Sequence, residues 1–459
     1  MKKMSLGRSI LITAGALLAV GTIAVADGTR FSDFTPLPAS AGPALSEAFP
    51  LTLGNAMFQQ QSIADRVFQL ASGKPNSGAW DMNTVNETGP HKGRYLFNVF
   101  ESGASGVQRY DLLTGVTDTI WHVLPGDTAQ RFDPTTWTPW GTVITGEENW
   151  GCSGPGYECG RIFELRNPID APGIYHPLGP GSNDGADFVH VNIIPRVSHE
   201  GLQFDRWNNL YYVDELNGGC VYKYTTAASW GQIKSGKAGY FDAGQAFALR
   251  VGDGNTPNAT GAFTWVPLTT ATGTPLPGTV TVTDSHGQTS LDGRNTGNVA
   301  AFKCTDYQRP EDAQIQALAN GDYLYVTTTT TNAVYRLDLQ NNVMSLFANQ
   351  GTTDMATGLP VGSGLLSPDN LALDLDGNIY IIEDRNGGVD DDIWFARDLN
   401  KDGDLTDAGE GLGRWASNGT LGSELTGLYF DPTNKRRAWV NIQHPSSGND
   451  RTIEITIPK

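Results

Sequence analysis

Residues 370–398 read NLALDLDGNIYIIEDRNGGVDDDIWFARD, and this stretch decides the fold. A short apolar strand runs into an Asp/Asn/Gly turn, a Tyr-bearing strand follows, then a polar Gly loop and another strand. The turn residues supply positive φ or side-chain hydrogen bonds, and the flanking residues suit a pleated, half-buried surface. The same grammar recurs in GLQFDRWNNLYYVDELNGGCVYKYT (201–225), DAQIQALANGDYLYVTTTTTNAVYRLD (312–338) and GLYFDPTNKRRAWVNIQHPSSGNDRTIEIT (427–456). Looser versions occupy 93–115 and 141–167. Three or more strands per unit, repeated about every fifty to sixty residues, is the pattern of propeller blades. The expectation is an all-β, six-bladed propeller over residues 61–459, with an insertion at 226–308 where the spacing doubles. Within the insertion GQAFALRV and GAFTWVPL read as strands and residues 269–298 as a long loop. A Greek-key sandwich is the rival architecture, but it leaves the repeat unexplained.

Composition agrees. Of 459 residues 39% are hydrophobic, enough for a core, and 55 glycines and 25 prolines suit a chain that turns often. The formal charge of −18 argues against nucleic acid, whose phosphates need clustered Lys and Arg, and favours cations. Lys2, Lys3 and Arg8, an apolar run from Ile10 to Val25, and Ala24-Val25-Ala26 form an export leader, so residues 1–26 are expected to be removed. The mature chain then has no membrane span and is periplasmic or extracellular. Residues 27–60 read as an N-terminal arm. Four cysteines in an exported chain suggest two disulfides, Cys152–Cys159 and Cys220–Cys304 being the favoured pairing of three. A cysteine metal site has the wrong spacing.

In each unit the start of one strand lies beside the end of its antiparallel partner. The entering residues include Ser198-His199-Glu200, Arg309-Pro310-Glu311-Asp312 and Ser367-Pro368-Asp369-Asn370. The leaving residues include Glu101, Glu147-Glu148-Asn149, Asp214-Glu215, Glu383-Asp384 and Asn441-Ile442-Gln443-His444. Gathered at one mouth, these carboxylates repel and resist ionising unless cations neutralise them. Glu101, Glu147, Glu148, Glu200, Asp214, Glu215, Glu311, Asp369, Asn370, Glu383 and Asp384 are therefore the candidate ligands of a polynuclear site. Calcium, which takes six to eight oxygens, is the expected ion. Arg309, two residues from Glu311 on the same strand face, reads as counter-ion or oxyanion clamp. His444 reads equally as a substrate ligand or a core histidine. Ser198-His199-Glu200 is no catalytic triad, because strand neighbours face opposite ways. Asp398, Asn400, Asp402, Gly403 and Asp404 separately follow the spacing of an EF-hand-type calcium loop, with Gly409 at position twelve and Glu410 one place late.

At these residues the chain resembles the PhoX-type alkaline phosphatases. The shared stretches, in order, are TPWGTVITGEENW, SHEGLQFD, RPEDA, SPDNLALDLDGNIYI and WVNIQHP, spanning most of the chain from about residue 90. The resemblance implies a six-bladed propeller hydrolysing phosphate monoesters with axial calcium and iron. It implies metal-ligand roles for Glu147 or Glu148, Glu200 and Glu311, with Arg309 and Glu311 at the reacting centre. Asp369, Asn370, Glu383 and Asp384 would join the calcium shell, and Arg309, Asn149 and His444 the substrate side. Members that carry iron have a cysteine just before the paired glutamates, where this chain has Gly146, and the leader lacks twin arginines. Both departures point to a calcium-only or otherwise remetallated relative. The competing functions are a calcium-dependent lactonase or esterase and a non-catalytic, calcium-stabilised binding propeller. The expected partner is a small phosphorylated substrate.

Overall fold

The computed structural model describes residues 28–123, 128–149, 159–170, 187–284, 287–385 and 391–458. The leader and Cys152 therefore lie outside the described residues. No helix among them is long and apolar enough to cross a membrane.

The chain is all-β and propeller-like, with three short helices and one 3-10 turn among the described residues. Six strands, Trp80–Val85, Phe132–Trp137, His199–Phe204, Pro310–Leu318, Pro368–Leu373 and Glu424–Phe430, each stand at one edge of a sheet. They lie side by side in chain order, and the last returns beside the first. Sheet edges that would otherwise invite pairing are thus turned toward a common axis. Glycine permits the closest approaches. Gly201, at φ +54°, would place a Cβ 2.4 Å from the Ala313 nitrogen, and Gly427, at φ +58°, one 2.7 Å from the Asn83 nitrogen.

The recurring turn has one mechanism. Asp374 Oδ1 accepts the N–H groups of Asp376 and Asn378 at 2.9 Å, with Gly377 at φ +74°. Asp205 accepts from Trp207 and Asn209 at 2.9 and 2.8 Å, with Asn208 at φ +63°. Asp431 caps Thr433 in the same way at 2.7 Å. Strands following such turns are packed on both faces by neighbouring sheets, which is why Ile379–Glu383 is a continuous buried run.

Six separate blades are not what the sheets form. Four sheets have four or five strands, and one has nine. The cause is the insertion. Its strand Gly244–Val251 extends the third sheet and pairs with Gly261–Pro267, and that strand reaches the outer edge of the next sheet, Gly261 opposite Met344. Residues 269–298 are also more ordered than the expected loop. They contain the hairpin Thr281–Thr283/Thr289–Leu291 and the helix Gly293–Gly297.

The N-terminal segment packs onto the body. Leu51–Leu53 pairs with Gly411–Asn418, and Gln59–Asp65 pairs with Arg451–Thr456, so both chain ends share one sheet. Phe31 is buried edge-on against Phe58, Trp415 and Phe430 at centroid distances of 5.5, 5.8 and 5.3 Å.

Cys220 and Cys304 are joined across 84 residues, with Cα atoms 6.2 Å apart. A bridge closing so long a loop restricts the unfolded chain, contributing about 2–4 kcal/mol. The Cys220→Ala/Cys304→Ala variant is expected to melt several degrees below the oxidised protein in differential scanning fluorimetry, and an unchanged midpoint would refute this.

Candidate active site

Each of the six inner strands breaks register with its neighbour near its start, at Trp80/Asn83, Phe132/Thr135, Glu200/Gln203, Pro310/Ala313, Pro368/Leu371 and Thr426/Tyr429. Such bulges re-aim side chains. Here they turn Asp81, Asp133, Glu200, Glu311, Asp369 and, in the sixth strand, Thr426 into one cavity of about 360 Å³.

For five of the six inner strands the residue just beyond the paired second strand is held by a matching backbone bond, while His444 at the sixth donates its N–H to Asp450 Oδ1 at 3.0 Å. The N–H groups of Glu101, Glu148, Glu215, Thr329 and Asp384 donate to the carbonyls of Ala79, Arg131, Ser198, Arg309 and Ser367 at 2.7, 2.9, 3.0, 3.1 and 3.0 Å. Four of those acceptor residues, Ala79, Arg131, Arg309 and Ser367, have φ between +46° and +53°. Non-glycine residues in that region carry about 1–3 kcal/mol of strain each, a cost concentrated at working sites.

The cavity is lined by ten carboxylates, those of Asp81, Glu101, Asp133, Glu148, Glu200, Glu215, Glu311, Asp369, Asp384 and Glu424, together with Arg131, Arg309, Thr426, Gln443 and His444. Oxygens of Asp81, Glu101 and Asp133 lie within 4.8 Å of one another, and so do those of Glu200, Glu311 and Asp369. Asp133 Oδ1, Glu200 Oε2 and Glu215 Oε2 are buried with no hydrogen-bond partner. Burial, reinforced by neighbouring acids, pushes Asp81, Glu101, Asp133, Glu200, Glu215, Asp369 and Glu424 well above the usual carboxylate range. Burial also raises Glu311, to about 7, against the opposing pull of Arg309 and Thr329. An all-oxygen, mutually repelling donor set with orphaned lone pairs fits hard cations. A thiolate does not fit. At Gly146 a Cβ would come 2.6 Å from His199 Cβ, so the space that a cysteine side chain would need is taken.

Arg309 is fixed by its neighbours. Its Nε and Nη2 donate to Glu215 Oε1 at 3.2 and 2.7 Å, and Nε lies 3.0 Å from Glu311 Oε1. Burial disfavours its charge, but Glu311 and Glu215 outweigh that and hold it firmly cationic. Thr329 Oγ1 donates to Glu311 Oε1 at 2.6 Å, and Gln443 Nε2 to Asp81 Oδ2 at 2.8 Å. His444 bonds through Nε2 to Glu424.

The structure thus brings together Glu101, Glu148, Glu200, Glu215, Arg309, Glu311, Asp369, Asp384 and His444. It does not bring Glu147, Asp214, Glu383, Asn370 or Asn149 into the lining. In three acidic pairs the first member faces away from the cavity and takes an arginine. Glu147 binds Arg161 Nε and Nη2 at 2.9 and 2.8 Å, Asp214 binds Arg294 Nε and Nη2 at 2.9 and 2.6 Å, and Glu383 binds Arg385 Nη2 at 2.8 Å. Period-two alternation sends the second member, Glu148, Glu215 or Asp384, the other way. Asn370 Oδ1 is spent on the Gly427 N–H at 2.8 Å.

Sequence reasoning missed Asp81, Asp133, Glu424 and Arg131. The first two lie in WDM and FDP, upstream of the repeat units at 93–115 and 141–167. Their signal was the apolar-acid step shared with Pro310-Glu311 and Pro368-Asp369. Glu424 and Arg131 carry no such signal.

Comparison with known proteins narrows the chemistry. The family model described as "Alkaline phosphatase PhoX" matches residues 135–446. PhoX from Pseudomonas fluorescens, solved in complex with vanadate, a transition state analogue, is similar in fold at 14% identity and a TM-score of 0.60, over 92% of this chain and 98% of that one. A gluconolactonase from Xanthomonas campestris aligns at 10% identity over 92% and 99% of the two chains, with a TM-score of only 0.45. No curated protein sequence matches. The family match covers well over half of the chain, so this protein belongs to the PhoX family of alkaline phosphatases, which are phosphoric monoester hydrolases.

Proposed function

We propose that this chain is an exported, six-bladed metallophosphatase that hydrolyses phosphate monoesters at a polynuclear, calcium-containing site in the axial cavity. The observation that carries the reading is the pair of converging carboxylate triads in one cavity with a guanidinium already clamped by two acids. Ten carboxylates against Arg131 and Arg309 would repel a phosphate dianion, so several cations must intervene before such a substrate binds. Carboxylate donors and the absence of a thiolate at Gly146 favour calcium and disfavour iron. The six-blade count treats the nine-stranded sheet as two blades fused at their outer edges by the insertion. Export rests on the leader at 1–26 and is in keeping with the Cys220–Cys304 bridge.

Bound in the cavity, the cations would polarise the phosphoryl oxygens and lower the pKa of a water. Glu101, Glu148, Glu200, Glu215, Glu311, Asp369 and Asp384 are the proposed ligands, joined by Asp81 and Asp133. Glu147, Asp214, Glu383 and Asn370 support them from behind. Arg309, held by Glu215 and Glu311 at the cavity wall, offsets charge developing on the phosphoryl oxygens in the transition state. His444, a lining residue bonded to Glu424, is assigned to the substrate side. Among the described lining residues Thr426 supplies the hydroxyl, and it is committed to the Trp80 carbonyl at 2.8 Å. Water is the proposed nucleophile.

Hydrolysis of p-nitrophenyl phosphate at alkaline pH tests this, before and after EGTA and after calcium is returned. Activity is expected to disappear with EGTA and to recover with calcium, while Glu311→Gln stays folded and falls at least about 10²-fold in kcat. A folded, calcium-loaded wild type without turnover would refute the catalytic reading, and lactones would be tried next.

A further inference from the structure

Outside the axial cavity, one loop carries ligand chemistry that phosphate hydrolysis does not use. Residues 398–410 join the outer strands Asp392–Arg397 and Gly411–Asn418. Asp398, Asn400 and Asp402 stand at the first, third and fifth positions of a calcium loop, and Gly403 makes the sharp turn at φ +88°. Glu410 comes one place later than the closing carboxylate of such loops. In the folded chain it nevertheless turns back over the loop, where Oε1 accepts the Leu399 N–H at 2.8 Å and Oε2 the Asp407 N–H at 3.2 Å. The extra residue is absorbed in the turn, and the carboxylate stays bonded to the loop backbone.

Asp398 is buried at the head of this loop. It is only 6% exposed, and its Oδ2 accepts the Gly403 N–H across the loop at 3.0 Å, which points its head group inward. Its Oδ1 is buried with no hydrogen-bond partner. A buried, unpaired carboxylate oxygen beside a second buried carboxylate is costly unless a cation lies between them. Lys401 eases the Asp398 charge, but its ammonium is hydrogen-bonded to the Gly377 carbonyl and Asn378 Oδ1, both at 3.1 Å, and Asp398 Oδ1 stays without a partner. Arg336 packs against Gly403 and acts on Asp404. Asn400 Nδ2 bridges Asp402 Oδ2 and Asp407 Oδ2 at 2.9 and 2.8 Å, so even the amide's positive end is drawn in to these oxygens.

We propose that residues 398–410 form a second calcium site, held by the side chains of Asp398, Asn400, Asp402 and Glu410 and the carbonyl of Asp404. Leu405, between the ligands, is buried in a core shared with Tyr325 and Phe347 of the neighbouring sheet. An ion here therefore fastens two sheets at their rim, remote from the chemistry. The proposal stands whether or not the axial cavity hydrolyses phosphate esters.

The test compares wild type, Asp402→Ala and Glu311→Gln as full mature chains. Asp402 is exposed, so its loss is not expected to prevent folding. After equilibration in calcium, Asp402→Ala should retain one calcium fewer per chain by elemental analysis. Calcium should also slow tryptic cleavage after Lys401 in wild type and in Glu311→Gln but not in Asp402→Ala, whose hydrolysis of p-nitrophenyl phosphate should match wild type. Equal calcium content in Asp402→Ala and wild type, with equal protection at Lys401, would overturn the site. Equal protection by magnesium would overturn its assignment to calcium, and loss of activity along with the ion would overturn its separateness.

Discussion

Arg309→Lys is expected to lower kcat/KM for p-nitrophenyl phosphate by about 10²–10³-fold while leaving the fold intact. The charge survives this change, so the loss measures geometry. Arg309 uses Nε and Nη2 against Glu215 and Nε again against Glu311, which orients its planar fork at the cavity wall. A lysine ammonium can satisfy either acid but cannot hold both and still present a fork to phosphate. Arg309→Ala should cost more, about 10³–10⁵-fold, because it also leaves Glu215 and Glu311 without their counter-ion. Inorganic phosphate should inhibit both variants more weakly than wild type. Steady-state kinetics with a calcium determination on each variant separates lost phosphate contacts from lost ions. A fall of less than tenfold in Arg309→Ala, at unchanged metal content, would remove Arg309 from the mechanism.

The second large effect contrasts adjacent residues. Glu147→Ala is expected to destabilise the protein by about 3–5 kcal/mol, since it strands Arg161 in a site where both side chains are fully buried. Glu147 accepts from Arg161 Nε, Nη2 and backbone N–H and from the Gln130 N–H, so four hydrogen bonds are lost together, although Arg161 Nη2 keeps Thr128 Oγ1 at 3.3 Å. Glu148→Ala should keep or raise the melting midpoint of the metal-free protein, because it removes one of ten crowded carboxylates, yet lose activity and calcium. Thermal unfolding in EGTA, paired with the p-nitrophenyl phosphate assay in calcium, reads both outcomes. If the two variants lost stability and activity alike, the division of labour within the acidic pairs would be wrong.

That division shows where reading the chain stops. DLDGN, FDRWNN and FDPTN are legible as turns because an Asx cap and a positive-φ residue act within five residues. The same locality makes the strand-turn-strand unit visible and, by repetition, the propeller-like architecture. The acidic pairs at 147–148, 214–215 and 383–384 are legible as a cluster, because strand ends of repeated units must gather at one mouth. Which member faces the axis was not legible. It depends on arginines at 161, 294 and 385, and Arg294 comes from the helix of the insertion, eighty residues from Asp214.

The amino-acid order therefore determined the local chemistry: the turns, the apolar strands, the recurrence of the unit and the supply of carboxylates and Arg309. These depend on interactions over a few residues and survive being read one window at a time. Only the tertiary structure decided the rest. It chose Glu148 over Glu147, added Asp81, Asp133 and Glu424, and fused two sheets through Gly261 and Met344. It also swung Glu410 back over its loop. Each of those outcomes is set by bulge geometry, burial and charge pairing between distant segments, which exist only once the strands stand around a common axis.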